Sequence, residues 1–202
     1  MFDVLIIGGG VAGVSCGLIL GSAHQKPFVQ NKKIGIIIHQ KSSDLQDAVF
    51  NNAYGIAPGT LGADLLQTSV KNLSEQYPHI ERIEAEKVMR IDGVYPEFKV
   101  ITNKNSYQTK MVVLAIGHSN TFAIDGVMNY IVPHKKALPA KQRIQLINDD
   151  HLVTEGIYVA GTLAGWRSQL SIAAGSGAAV ATDILTLWNE NTSAQSHDSV
   201  RK

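Results

Sequence analysis

The chain has 202 residues, 45% of them hydrophobic and 17% charged, and a formal net charge of +1. This is the composition of a folded globular domain, without the basic stripe that nucleic acid or an anionic membrane requires. Its single cysteine, Cys16, excludes an intramolecular disulfide, a cysteine-rich metal site and a two-cysteine redox centre within one chain.

Residues 3–7 are a short apolar run ending at Gly8-Gly9-Gly10, which predicts a buried parallel strand. The start Met1-Phe2-Asp3 has no basic leading segment, so the apolar stretch 4–20 reads as folded structure of a cytoplasmic protein rather than a signal. Residues 11 to about 23 predict a helix packed closely on a sheet, and residues 34–38 a second buried strand. Gly8-x-Gly10-x-x-Gly13 therefore falls between strand and helix, where a dinucleotide needs it. There the first glycine permits the tight turn, the second admits the pyrophosphate to the backbone, and the third lets helix and strand touch. The candidate binding residues are Gly8, Gly9, Gly10, Val11, Ala12 and Gly13; the alternative is a glycine-rich turn without a ligand.

A dinucleotide strand of this kind ends in an acid that binds the ribose hydroxyls. Here it ends in His39-Gln40-Lys41, and the first acid is Asp44. Three readings stand: a ribose held by His39 or Gln40, a preference for the 2′-phosphate of NADPH, or a merely polar strand end.

Residues 51–58 are turn-rich, and Thr60 is placed to cap a helix carrying Leu61, Leu65, Leu66, Val70, Leu73 and Tyr77. Strand patterns at 80–91, 98–101 and 107–114 are separated by Asp92-Gly93 and Asn103-Lys104-Asn105, which predicts a three-stranded meander. Residues 118–150 include Pro133 and Pro139 and show no long regular element; His118 and His134-Lys135-Lys136 read as a solvated loop, the alternative being contact with a phosphate or substrate. A short strand at 157–161 precedes a helix of small residues from about 169 to 188, and the polar tail 189–202 is expected to fray. Cys16, in the second turn of the first helix, reads as a small buried hydrophobe.

Gly156-Ile157-Tyr158-Val159-Ala160-Gly161-Thr162, then Ser168-Gln169-Leu170-Ser171-Ile172-Ala173-Ala174-Gly175-Ser176-Gly177, resembles the second FAD motif of the thioredoxin-reductase-like pyridine nucleotide-disulfide oxidoreductases. Asn52-Ala53-Tyr54-Gly55 and Ala115-Ile116-Gly117 are similar to further segments of that family. The resemblance implies an α/β, three-layer FAD/NAD(P)-binding fold: a Rossmann-like parallel sheet with helices on one face and a three-stranded β-meander on the other. It implies FAD as cofactor in a single domain over residues 1–188. Gly161 and Thr162 would lie at the ribityl chain, where the family has Asp instead of Thr162, and Gln169, Leu170 and Ser171 at the flavin ring. Asn52, Val88, Ala115, Ile116 and Gly117 complete the implied cofactor set. The 43 residues between Gly117 and Gly161 are too few for the family's NADPH domain, which needs roughly a hundred or more.

In function, the resemblance implies a flavoprotein oxidoreductase taking electrons from a separate redox partner or from transiently bound NAD(P)H. The alternatives are a non-catalytic FAD- or nucleotide-binding sensor, carrier or subunit, and an NADPH-binding module. No nucleic-acid or membrane partner is expected, and a domain without its usual neighbour leaves a face that a homodimer would cover. Trp166 and Arg167 would either shield and stabilise the flavin or sit in a surface loop.

Overall fold

The computed structural model describes residues 1–39 and 45–197. In chain order its elements are β1 (Phe2–Ile7), α1 (Val11–Ser22), β2 (Ile34–Ile38), the short pair β3 (Val49–Phe50) and β4 (Thr60–Leu61), and α2 (Gly62–Gln76). Next come β5 (Glu81–Glu84), β6 (Val88–Val94), β7 (Glu97–Thr102), β8 (Ser106–Leu114), β9 (Ile131–Pro133) and β10 (Ile144–Leu146). The chain closes with β11 (Leu152–Thr154), β12 (Ile157–Val159), a 3-10 turn at Gly161–Ala164 and α3 (Leu170–Trp188).

The main sheet runs β11-β12-β8-β1-β2-β5. Every pair from β12 to β5 is parallel, and β11 lies antiparallel on the edge. All six residues of β1 are buried, as a central parallel strand demands. From Val4 to Ile7 its side chains alternate between layers. Val4 and Ile6 join Val14, Leu20, Leu73, Val180 and Ile184 under the helices. Phe2, Leu5 and Ile7 join Val88, Ile91, Phe98 and Val100 under the meander. This is the three-layer α/β arrangement expected from the sequence.

One strand serves two layers: β8 pairs antiparallel with β7 over its first half and parallel with β1 over its second, changing partner at Thr109. α3 lies against α1, and a Cβ at Gly177 would sit 2.0 Å from the Ala12 carbonyl oxygen, so the helices meet backbone to backbone there. α3 is long and apolar enough to cross a membrane by length and composition. In this fold Val180, Ile184 and Leu185 are buried in the helix layer, each contributing about 1.5–3 kcal/mol.

The structure corrects several local expectations. Residues 80–91 are not one strand: β5 joins the parallel sheet beside β2, and the chain crosses to the other layer at 85–87 before β6 begins. Ala85 makes the break with φ +54° while its N–H donates to the Ile38 carbonyl (2.9 Å). Asp92-Gly93 is not the turn either, because Asp92 and Gly93 pair with Lys99 and Phe98 and the hairpin reverses at the cis Tyr95-Pro96 bond. Thr60 does not cap α2: Leu61 stands at the cap position, and the Thr60 hydroxyl donates to the Ala57 carbonyl (2.7 Å). The first half of the tail returns to the domain, with Ala194 buried and the Ser22 hydroxyl on Ser196 (2.8 Å). Within 118–150, β9 and β10 form an antiparallel hairpin.

Candidate functional site

The carboxyl ends of β1, β8 and β12 carry three turns that meet. After β1, Gly8 adopts φ +123°, and a Cβ there would lie 2.3 Å from the Ala115 carbonyl oxygen. A Cβ on Gly13 would lie 1.9 Å from the Gly8 carbonyl oxygen, so α1 starts directly over the turn. Gly10 is the N-cap of α1, with no side-chain cap and no acid in the first turn. The first intrahelical bond is Val14 N–H to the Gly10 carbonyl (2.9 Å). The N–H groups ahead of Val14 thus face out of the helix end, as an oxyanion such as a diphosphate requires.

The second turn comes after β8. The Ala115 N–H donates to the Ile7 carbonyl (2.8 Å), which seats Ala115 beside the glycine turn; Ile116 is exposed, and Gly117 stands at φ +82°. Since β8 is the last meander strand, this Ala-x-Gly segment is the turn that closes the meander.

The third turn comes after β12, whose end is fixed by the Ala160 N–H on the Leu114 carbonyl (2.9 Å). Gly161 adopts φ +72°, and a Cβ there would touch the Ala12 side chain at 3.0 Å. Thr162 is half-buried beside it. Gln169 is the exposed N-cap of α3, with no side-chain cap and no acid in the first turn; Leu170 is half-buried and Ser171 exposed.

The structure therefore brings together Gly8, Ala12, Gly13, Ala115, Ile116 and Gly161. Gly9 faces an open cleft of about 570 Å³ bordered by Gln46 and by Ala63, Gln67 and Val70 of α2. Asn52 is exposed on the loop between β3 and β4, and Val88 is buried in the layer beneath the meander. His39 is exposed just after β2, while Gln40 lies outside the described residues. Burial pushes the Cys16 thiol pKa up, which leaves it protonated and inert, in keeping with its reading as a buried hydrophobe.

The third turn is held by residues that the sequence did not single out for it. His134 is buried, not solvated. Its Nδ1 accepts the Lys136 N–H (3.1 Å), so its Nε2 carries the proton and donates to the Thr162 carbonyl (3.0 Å). On the other side the Ser176 hydroxyl accepts the Gly161 N–H (2.8 Å) and stands 2.9 Å from the Nε2 of buried His151. Trp166 is half-exposed, its indole N–H donating to the same Nε2 (3.2 Å) and the Lys136 ammonium lying over its ring; Arg167 is exposed. Nearby, burial and the Asp150 charge raise the Asp183 pKa, against the opposing effect of His151.

Residues 2–162 match the family model of the pyridine nucleotide-disulphide oxidoreductases. The chain belongs to that family. Pyridine nucleotide-disulphide oxidoreductases of this type bind FAD, and the uncapped α1 terminus over a side-chain-free turn fits its diphosphate. A curated relative, an uncharacterized oxidoreductase CzcO of Bacillus velezensis, is 28% identical over 151 residues; the match covers 70% of this chain and 44% of that protein. The chain thus spans less than half the length of this relative. Among solved structures, a thioredoxin reductase from Gloeobacter violaceus superposes with a TM-score of 0.71 at 15% identity, covering 99% of each chain. An oxidoreductase from Agrobacterium tumefaciens gives 0.69 at 16% identity, covering 92% of this chain and 98% of its own. These likenesses are of fold.

Proposed function

We propose that this chain is a single-domain FAD-dependent oxidoreductase that receives electrons from a redox partner protein or from transiently bound NAD(P)H, and that it works in the cytoplasm. The observation that carries the reading is the meeting of the Gly161–Thr162 turn with the open end of α1 at Ala12. The first-turn N–H groups of α1 would hold the diphosphate, and the Thr162 hydroxyl would bond the ribityl chain. The α3 terminus at Gln169 would favour negative charge at the ring edge beside it. Bound FAD supplies the redox chemistry, and the protein supplies binding, orientation and electrostatics. Between Ala115 and Gly161 the chain forms the β9–β10 hairpin and the edge strand β11 in place of a second dinucleotide fold, so the electron donor must come from outside the domain.

A second reading, a non-catalytic FAD carrier, draws on the same site: Cys16 is fully buried, and His134 and His151 are committed to structural hydrogen bonds. Anaerobic spectroscopy tests the nicotinamide route and the cofactor itself. Protein reconstituted with FAD and passed through gel filtration should retain a flavin spectrum, and NADH or NADPH should bleach it. Bleaching by neither nucleotide favours the carrier or a protein donor. A colourless protein after reconstitution overturns the FAD reading altogether.

A further inference from the structure

We infer that the segment from the β9–β10 hairpin to Asp150 and His151 is a clamp on the Gly161–Thr162 turn, with His134 and His151 as positioning residues for the cofactor. The inference rests on the FAD reading above and assigns work to a stretch that otherwise only fills the place of a second domain. The two histidines act on adjacent residues of one turn from opposite sides. His134 donates to the Thr162 carbonyl, which also accepts the Gly165 N–H (2.9 Å). His151 acts through Ser176 on the Gly161 N–H.

The direction of the second chain of bonds is set by its donors. The Trp166 indole N–H can only donate, so His151 Nε2 is an acceptor, and the Ser176 hydroxyl, which accepts from Gly161, gives its proton to the same Nε2. With Nε2 an acceptor, the imidazole proton sits on Nδ1, which is fully enclosed, lacks a hydrogen-bond partner and faces the Asp150 carboxylate at 3.5 Å. The bonds therefore run one way from Gly161 through Ser176 to His151, an alignment in which successive bonds strengthen one another. His151 and Asp150 pay for this with left-handed backbone, φ +76° and +41°. The hairpin secures the rest of the turn: the Asn148 amide donates to the Leu146 and Ala164 carbonyls (2.7 and 3.3 Å), and its side-chain oxygen accepts the His151 N–H (3.2 Å).

The test compares His134→Leu and His151→Leu, which remove the bonds, with His134→Gln and His151→Gln, whose amides place a donor or acceptor near Nε2. FAD affinity is read by quenching of flavin fluorescence, apo stability by thermal unfolding, and the turn itself by amide hydrogen exchange at Gly161. Each leucine variant should weaken FAD binding about tenfold and speed Gly161 exchange by a similar factor, while the glutamine variants stay within about threefold of wild type. Leucine variants that lower the apo melting temperature but keep wild-type FAD affinity overturn the inference, because the histidines are then only structural. Unchanged Gly161 exchange in His151→Leu overturns it as well. A wild-type chain that binds no FAD, while exchange still responds to the variants, overturns the FAD reading and leaves a clamp on a turn with a different ligand.

Discussion

Two of the three turns that meet at the end of the sheet, Gly8–Gly13 and Gly161–Thr162, are built by opposite means. The Gly8–Gly13 turn is set by what is missing: side chains at Gly8 and Gly13 would collide with backbone oxygens at 2.3 and 1.9 Å, and no side chain caps the helix above it. The Gly161–Thr162 turn is set by what is present, side chains of His134, His151 and Ser176 that stand 10 to 28 positions away. The glycines of the first turn all fall within six residues of sequence and need no side chain from elsewhere, although the backbone of Ala115 closes on Gly8, and neither Gly8 nor Gly13 tolerates an addition. The second can be altered locally, yet depends on a distant segment. A Gly13→Ala substitution probes the first most severely. It should cost about 3 kcal/mol in urea unfolding and abolish FAD retention, since the obstacle is backbone rather than a flexible side chain. Wild-type stability in that variant would mean that α1 can lift off the turn, and the contrast would fail.

The same contrast explains what was legible in the sequence. The strand-turn-helix at 2–22 was readable because its glycine spacing and apolar flanks are local, and α3 because its small residues form one continuous run. The break at 85–87 was not, because apolar residues recur through Ile80, Ile83, Val88 and Ile91 with no Gly or Pro to mark an end. What splits it is the Ala85 backbone and Glu86, whose carboxylate accepts from Thr102 (2.6 Å), Asn105 (2.7 Å) and Tyr107 (2.9 Å). His134 read as solvent-exposed because it sits between Pro133 and two lysines, while its partner Thr162 is 28 residues ahead. His151 comes after Asn148-Asp149-Asp150, an ordinary turn sequence with nothing to mark a buried ring.

Glu86 sharpens the comparison as a side-chain knot away from both turns. Burial works to raise its pKa, but the bonds from Thr102, Asn105 and Tyr107, with Lys104 nearby, outweigh it and hold the carboxyl below its ordinary value. The folded state therefore gains from the ionised form above the unfolded pKa and loses that gain as pH falls through the folded one. Glu86→Gln should cost about 2 kcal/mol at neutral pH, flatten the acid limb of the stability profile, and leave FAD affinity unchanged. A smaller effect is expected at the second turn. Thr162→Asp, which keeps the backbone bonds of the turn, should tighten FAD binding by roughly tenfold, because a charge-assisted bond replaces a neutral one. Equal affinities would show that Thr162 lies off the ribityl chain.

The smallest effect should come from the far end of α1, where His24 and His79 stack with ring centroids 4.0 Å apart. Burial first, and the charge of His24 second, lower the His79 pKa from 6.5. A histidine whose folded pKa is depressed prefers to be neutral in the native state. Above its unfolded value both states are neutral and nothing is lost; as pH falls below that value the unfolded chain takes up the proton more readily and the fold weakens. His79→Gln should therefore narrow the gap between melting temperatures at pH 7.5 and pH 5.5. FAD affinity at pH 5.5 should be the same in wild type and variant, because a turn fixed by backbone contacts at Gly8 and Gly13 does not sense the other end of its helix. An affinity that tracks the His79 charge would mean that α1 transmits strain along its length, and the first turn would then depend on distant side chains just as the second does.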